Sequence, residues 1–163
     1  MVWVFRIGLG LAVLAYAAWQ AWPVVALVSE GVGVSELWGL AGGGSLIGGG
    51  TAVAWVTIVL LYAVSGLFTA GGLSWAPGAY FLAFGGEILL GMALSPAGTP
   101  PPLIDIAGRT SEALRQAGVG LDPAPLSIAA LLATGLVIVA LGAWRGWRDA
   151  ALIRSPAVLP VWG

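Results

Sequence analysis

Three chemically versatile residue types are missing from this chain of 163 residues, which contains no histidine, no cysteine and no lysine. Without cysteine there is no disulfide, no thiolate nucleophile and no Cys-ligated metal, and the redox compartment stays open. Without histidine, a His-ligated haem or chlorophyll-type pigment, a His-based metal site and an imidazole general base are excluded within the chain. A redox cofactor would then be held by other ligands or belong to a partner. The net charge of −1 and the absence of any basic run make nucleic acid an unexpected partner.

Charge of either sign is scarce: 8% of residues are charged, 60% are hydrophobic, and mean hydropathy is +1.01. A soluble domain carries about 25% charged residues because its surface meets water. This outer surface must instead meet lipid or apolar protein. The length suits a single integral-membrane domain over residues 1–163, and four spans of roughly 20 residues occupy about half of it. The expected fold is all-α, a polytopic bundle of four transmembrane helices with a short amphipathic helix in the third loop.

The spans are read at about 4–28, 51–73, 79–95 and 123–144. In the first, Arg6, a short apolar stretch and Ala15-Tyr16-Ala17 also resemble a cleavable secretory signal. The apolar run continues past that site and the sequence starts at Met1, which favours a retained span, kinked at Pro23. Residues 29–50 contain Gly42-Gly43-Gly44 and Gly48-Gly49-Gly50, which resist helix formation and read as a loop or a re-entrant turn. They do not fit a phosphate-binding loop, since no lysine follows. Ser74-Trp75-Ala76-Pro77-Gly78 reads as a tight turn, and Pro96 with Pro100-Pro101-Pro102 ends the third span. Asp122 is placed to cap the fourth span, with proline at its first helical position. The amphipathic helix is expected over about 103–117, lying along the top of the bundle. Asp105 and Arg109 form an i,i+4 pair on one face with Glu112, and Leu103, Ile106, Thr110 and Leu114 form the other.

Arginine sets the orientation. Arg6 flanks the first span and Arg145, Arg148 and Arg154 follow the last, which puts both termini on the cytoplasmic side of the cell membrane. Trp19, Trp22, Trp75, Trp144 and Trp147 fall near span ends, as interfacial tryptophans do.

Glu87 is the residue most in need of explanation. It falls near the middle of the third span, where a charged side chain costs a few kcal/mol on insertion scales. It should face protein or a hydrated cavity, with partners or a proton, beside Tyr80, Ala83 and Gly91. Two further stripes run at helical spacing: Thr51, Trp55, Ile58, Tyr62, Ser65 and Thr69 on the second span, and Arg6, Gly10, Val13, Ala17 and Gln20 on the first. Tyr62 comes to a depth similar to that of Glu87. Glu87, Tyr62, Tyr80 and Arg6 are therefore the candidate residues for a quinone-headgroup or proton site. A buried Glu–Tyr hydrogen bond could equally knit the bundle and do nothing else. Nucleophile–base pairs and metal-ligand clusters are lacking, which leaves hydrolase and metalloenzyme readings without support.

Three short segments resemble the DoxX/DoxD family of four-helix membrane proteins. They are Arg6-Ile7-Gly8-Leu9-Gly10 leading into an apolar helix, Gly66-Leu67-Phe68-Thr69 at the inner end of the second span, and Gly142 to Asp149 ending in Trp147-Arg148-Asp149. The chain departs from the family at Ala70, where a basic residue is usual, and at Gln20 and Trp22, where the first span often carries another. The resemblance implies a membrane subunit tied to quinone-linked sulfur oxidation or a respiratory assembly, as in DoxD-like thiosulfate:quinone oxidoreductase. The leading expectation is a non-haem membrane subunit of a quinone-linked redox complex. Its role would be to anchor the complex or shape a quinone site, with other membrane subunits as partners and quinone as the ligand. The alternatives are a homo-oligomeric channel or transporter lined by the Glu87 face, and a purely structural accessory subunit.

Overall fold

The computed structural model describes residues 2–44, 46–94, 101, 103–118 and 123–154, with side chains throughout except at 2, 46–48, 123–124 and 145–154. The elements are α1 (Val2–Ser29), α2 (Val34–Leu40), α3 (Leu46–Gly71), α4 (Ala76–Leu94), α5 (Ile106–Gln116) and α6 (Pro123–Arg154). Four of them, α1, α3, α4 and α6, are long and apolar enough to cross a membrane. Even α4, with 19 residues, extends for about 28 Å, close to the thickness of a bilayer's hydrocarbon core.

The four long helices run up, down, up and down. Arg6 of α1 meets Thr69 and Ala70 at the end of α3, Ser65 of α3 meets Ala76 at the start of α4, and Tyr80 of α4 meets Leu131 of α6. The start of α1 and the end of α6 therefore share one end of the bundle, and α2 and α5 lie toward the other. Packing is closest between α1 and α3. A Cβ on Gly10 would fall 2.7 Å from the Gly66 carbonyl oxygen, and one on Gly66 would fall 2.9 Å from that of Gly10. The two backbones touch there because neither residue carries a side chain, the close approach that small residues permit between membrane helices.

The core follows the polar stripes. Val13, Ala17 and Gln20 of α1 and Trp55, Ile58, Tyr62, Ser65 and Thr69 of α3 are all buried, while Leu11, Val53, Leu60 and Leu67 turn outward. Such an inside-out distribution is stable only where the outer face meets hydrocarbon.

Several boundaries differ from expectation. Gly48-Gly49-Gly50 is helical, inside the first turns of α3, and residues 34–40 form α2, so 29–50 is not one loop. Glycine weakens a helix by roughly 1 kcal/mol in water. In hydrocarbon, where no water can satisfy a free peptide group, the helix is retained. The first triplet does turn, with Gly42 at φ +85° and Trp38 Nε1 donating to the Gly43 carbonyl at 3.0 Å.

The α3–α4 turn comes two residues earlier than read. Gly72, at φ +71°, closes α3 as Leu73 N–H donates to the Phe68 carbonyl at 2.9 Å, and Pro77 sits in the first turn of α4, where its missing N–H costs nothing. At the other extreme α6 continues ten residues past 144 to Arg154, just before Ser155-Pro156. Asp122, the expected cap of α6, lies outside the described residues.

The amphipathic segment is shorter than expected. Leu103 and Ile104 are buried ahead of it, Leu103 against Leu37, Ala41 and Ala52. Asp105 is the N-cap of α5, accepting from Gly108 N–H at 2.8 Å, and Arg109 Nε donates to the Asp105 backbone carbonyl, so the expected Asp105–Arg109 ion pair gives way to a cap. An ion pair forms instead between Glu112 and Arg115 at 2.9 Å. Nor does α5 lie across the top of α1. Its Arg109 reaches the Trp19 carbonyl at 3.4 Å, ten residues and about 15 Å short of the end of α1 at Ser29.

Candidate functional site

Glu87 projects from α4 into the bundle. Tyr16 of α1 donates to its Oε1 at 2.5 Å, and Tyr62 of α3 donates to its Oε2 at 2.6 Å. Each carboxylate oxygen thus receives a phenolic hydroxyl from a different neighbouring helix. Both oxygens are thereby satisfied inside the bundle, as a buried carboxyl group requires.

The hydroxyls are held by ring packing. Tyr16 meets Tyr62 edge to face at 5.1 Å, and Tyr62 meets Tyr80 in the same way at 5.5 Å. Such pairs contribute about 0.5–1.5 kcal/mol beyond their burial and fix the ring planes. All three tyrosines of the chain are in this stack. Tyr80, third in line, does not reach Glu87; its hydroxyl donates to the Leu131 carbonyl of α6 at 2.7 Å.

Beside the carboxylate, on the side facing α5, lies a cavity of about 370 Å³ bordered by Glu87, Gln20 and Trp55. Its apolar walls come from Ile58, Leu90 and Leu94, and Ile104 to Ala107 close one side. Gln20 is completely buried, with its amide beside the Tyr16 hydroxyl but outside good hydrogen-bond geometry, and Trp55 Nε1 has no partner among the described residues. Buried polar groups are nearly always satisfied, and those that are not call for a specific explanation. Here Gln20, Trp55 and a carboxylate border one apolar cavity of a size that suits a small molecule, with the Gln20 amide and Trp55 Nε1 packed behind its wall. Arg109 stands nearby with Nη2 buried and unpartnered, and burial lowers its pKa against the opposing pull of Asp105.

The four residues expected to form a site do not all meet. Glu87 and Tyr62 are bonded, Tyr80 supports Tyr62 through its ring, and Arg6 sits near the far end, ten residues below Tyr16 on α1 and bonded to the Thr69 and Ala70 carbonyls. Tyr16, Gln20 and Trp55 join instead. Gln20 and Trp55 were visible as members of their stripes, without a role. Tyr16 was obscured by its place between two alanines in an apparent cleavage site. The signal that would have found it is spacing, since Val13, Tyr16 and Gln20 also follow a 3-4 rhythm on the edge of the buried face.

No family model, curated protein or solved structure matches this chain.

Proposed function

We propose that this chain is a membrane subunit of a quinone-linked redox assembly and that the cavity beside Glu87 receives the quinone headgroup. The observation that carries this reading is that Glu87, Gln20 and Trp55 border one apolar cavity, with Trp55 Nε1 and the Gln20 amide making no hydrogen bond of good geometry among the described residues. A quinone headgroup is a flat apolar ring with two carbonyl oxygens. Trp55 Nε1–H and the Gln20 amide N–H are the donors such carbonyls need, while the Gln20 amide oxygen and Glu87 can accept from a quinol hydroxyl. Glu87 would hold the proton at Oε1 or Oε2, with Tyr16 and Tyr62 keeping the carboxylate in place. Ile58, Leu90 and Leu94 suit the ring face and the start of an apolar tail. Electrons would pass to a redox group on a partner chain, since this one has neither cysteine nor histidine to ligate its own. The resemblance to DoxX/DoxD proteins points the same way, and the orientation with both termini in the cytoplasm belongs to this proposal.

The test is saturable quenching of tryptophan fluorescence by a short-tailed quinone in detergent, with proteoliposome ion flux measured in parallel. Quenching should weaken in Gln20→Leu and in Glu87→Leu, and Trp55→Phe should remove most of the quenched signal. Flux without quinone binding would favour the channel reading. Neither flux nor quenching would leave a structural accessory subunit.

A further inference from the structure

Proline inside α1 frees a backbone carbonyl, and a side chain from another helix takes it up. In a regular helix the N–H of residue 23 would donate to the carbonyl of residue 19, but Pro23 has no N–H and its ring crowds that carbonyl. The Trp19 carbonyl therefore lacks its ordinary donor. Within hydrocarbon such a group needs a replacement from a neighbouring element. Arg109 of α5 supplies one: its Nη1 donates to the Trp19 carbonyl at 3.4 Å, across 90 positions of sequence, while its Nε donates to the Asp105 carbonyl at 3.2 Å. A single guanidinium thus joins the start of α5 to the point that Pro23 opens on α1.

The contact gains weight from where α5 lies and how little else holds it. The cavity beside Glu87 has α1, α3 and α4 on three sides, and Ile104, Asp105, Ile106 and Ala107 form the fourth. Leu103 and Ile104 are buried and anchor the chain just before the helix, Leu103 against Leu37, Ala41 and Ala52. Beyond them no residue of α5 is buried. Thr110, Ser111, Arg115 and Gln116 make their side-chain hydrogen bonds within α5 itself. Gly118, at φ +75°, turns the chain at the far end, in a conformation that glycine adopts freely. A helix anchored at one end, bounded by a glycine at the other and poorly buried between them has low local stability.

We propose that α5 is a gate over the Glu87 cavity, and that the bond from Arg109 to the carbonyl freed by Pro23 is its latch. With the latch made, the first turn of α5 completes the fourth wall. With the latch broken, α5 swings from Leu103 and Ile104 and opens the cavity. The inference concerns access to the cavity and holds whatever molecule the cavity receives, so its test uses no quinone.

The chain has no cysteine, so a single one can be placed behind the gate. Ile58 is 5% exposed and lines the cavity, whereas Ser65, fully buried nearer the other end of the bundle, lies outside it and serves as a control. Ile58→Cys and Ser65→Cys are each combined with Arg109→Met, which keeps the apolar stem and removes the donors, and with Pro23→Ala, which restores an N–H for the Trp19 carbonyl. Each protein, purified in a maltoside detergent, is treated with a small water-soluble methanethiosulfonate, and the labelling rate is read by mass spectrometry. The expected result is labelling at Ile58→Cys faster by about threefold or more in both backgrounds, with Ser65→Cys unchanged. Without any added cysteine, Arg109→Met and Pro23→Ala should also speed amide exchange over residues 106–116, because an undocked helix of this length is marginal by itself. Unchanged labelling at Ile58→Cys in either background, an equal acceleration at Ser65→Cys, or unchanged exchange in α5 would each overturn the proposal.

Discussion

Tyr16 and Glu87 are 71 positions apart in sequence, and in the folded bundle the hydroxyl of one lies 2.5 Å from the carboxylate of the other. With Tyr62 on the second oxygen, the carboxylate is shared between α1, α3 and α4, so it fastens three helices as well as bordering a cavity. The proposed function would add a chemical role to this structural one, and the variants below are chosen to separate the two.

Removing one hydroxyl at a time should weaken the bundle without dismantling it. Tyr16→Phe and Tyr62→Phe are each expected to cost about 1–3 kcal/mol in unfolding titrations in mixed micelles. Glu87→Gln keeps size and hydrogen bonding and should be milder than Glu87→Leu, which leaves two buried hydroxyls unpaired. If Glu87 handles a proton, Glu87→Gln should lower quinone-dependent turnover in an otherwise intact complex. Equal stability of wild type and both phenylalanine variants would show that these hydrogen bonds contribute nothing.

The α1–α3 contact makes a sharper packing prediction. Gly10→Ala and Gly66→Ala each place a methyl group against the backbone or Leu14 of the neighbouring helix at under 3 Å, and should destabilise by about 1–3 kcal/mol. Gly8→Ala and Gly91→Ala meet nothing within 4 Å and serve as controls that should be neutral or slightly stabilising. The same unfolding titrations, run on all four, would expose the error if the controls cost as much as the contact residues.

Topology can be read with single cysteines, because the chain has none of its own. Ser74 lies in the turn between α3 and α4, and Ser111 lies on α5 toward the opposite end of the bundle. A membrane-impermeant thiol reagent added to intact cells should label a cysteine at 111 and spare one at 74. Labelling both from the same side would contradict four crossings, and the reverse pattern would invert the proposed orientation.

The cap on α5 offers a local test beside the cavity. Asp105→Ala should cost about 1 kcal/mol and speed amide exchange over residues 106–116. Glu112, held below the ordinary carboxylate range by Arg115 and Gln116, contributes its share above that range and loses it as pH falls. Its side chain is exposed to solvent and its pairing is screened, so Glu112→Gln should leave exchange in α5 nearly unchanged.

What the sequence determined by itself was the class of fold and the inward faces of α1 and α3; on α4 it placed Tyr80 and Ala83 inside correctly but also Gly91, which is exposed. Thirteen charged residues cannot surround a soluble core, and the stripes from Val13 to Gln20 and from Trp55 to Thr69 could be traced from periodicity alone, because helical spacing is a local property. The glycine-rich stretch was misread for a related reason: residue propensities are calibrated in water, and Gly48 to Gly50 lie in a span that hydrocarbon keeps helical. Tertiary structure decided which inward residues meet. Whether Tyr16 or Tyr80 reaches Glu87, whether Arg6 joins that site or sits at the far end, and whether Arg109 meets the Trp19 carbonyl all depend on how far one helix slides and turns against the next. That register is fixed by contacts such as Gly10 on Gly66, between residues 56 positions apart, and no local pattern in either segment specifies it.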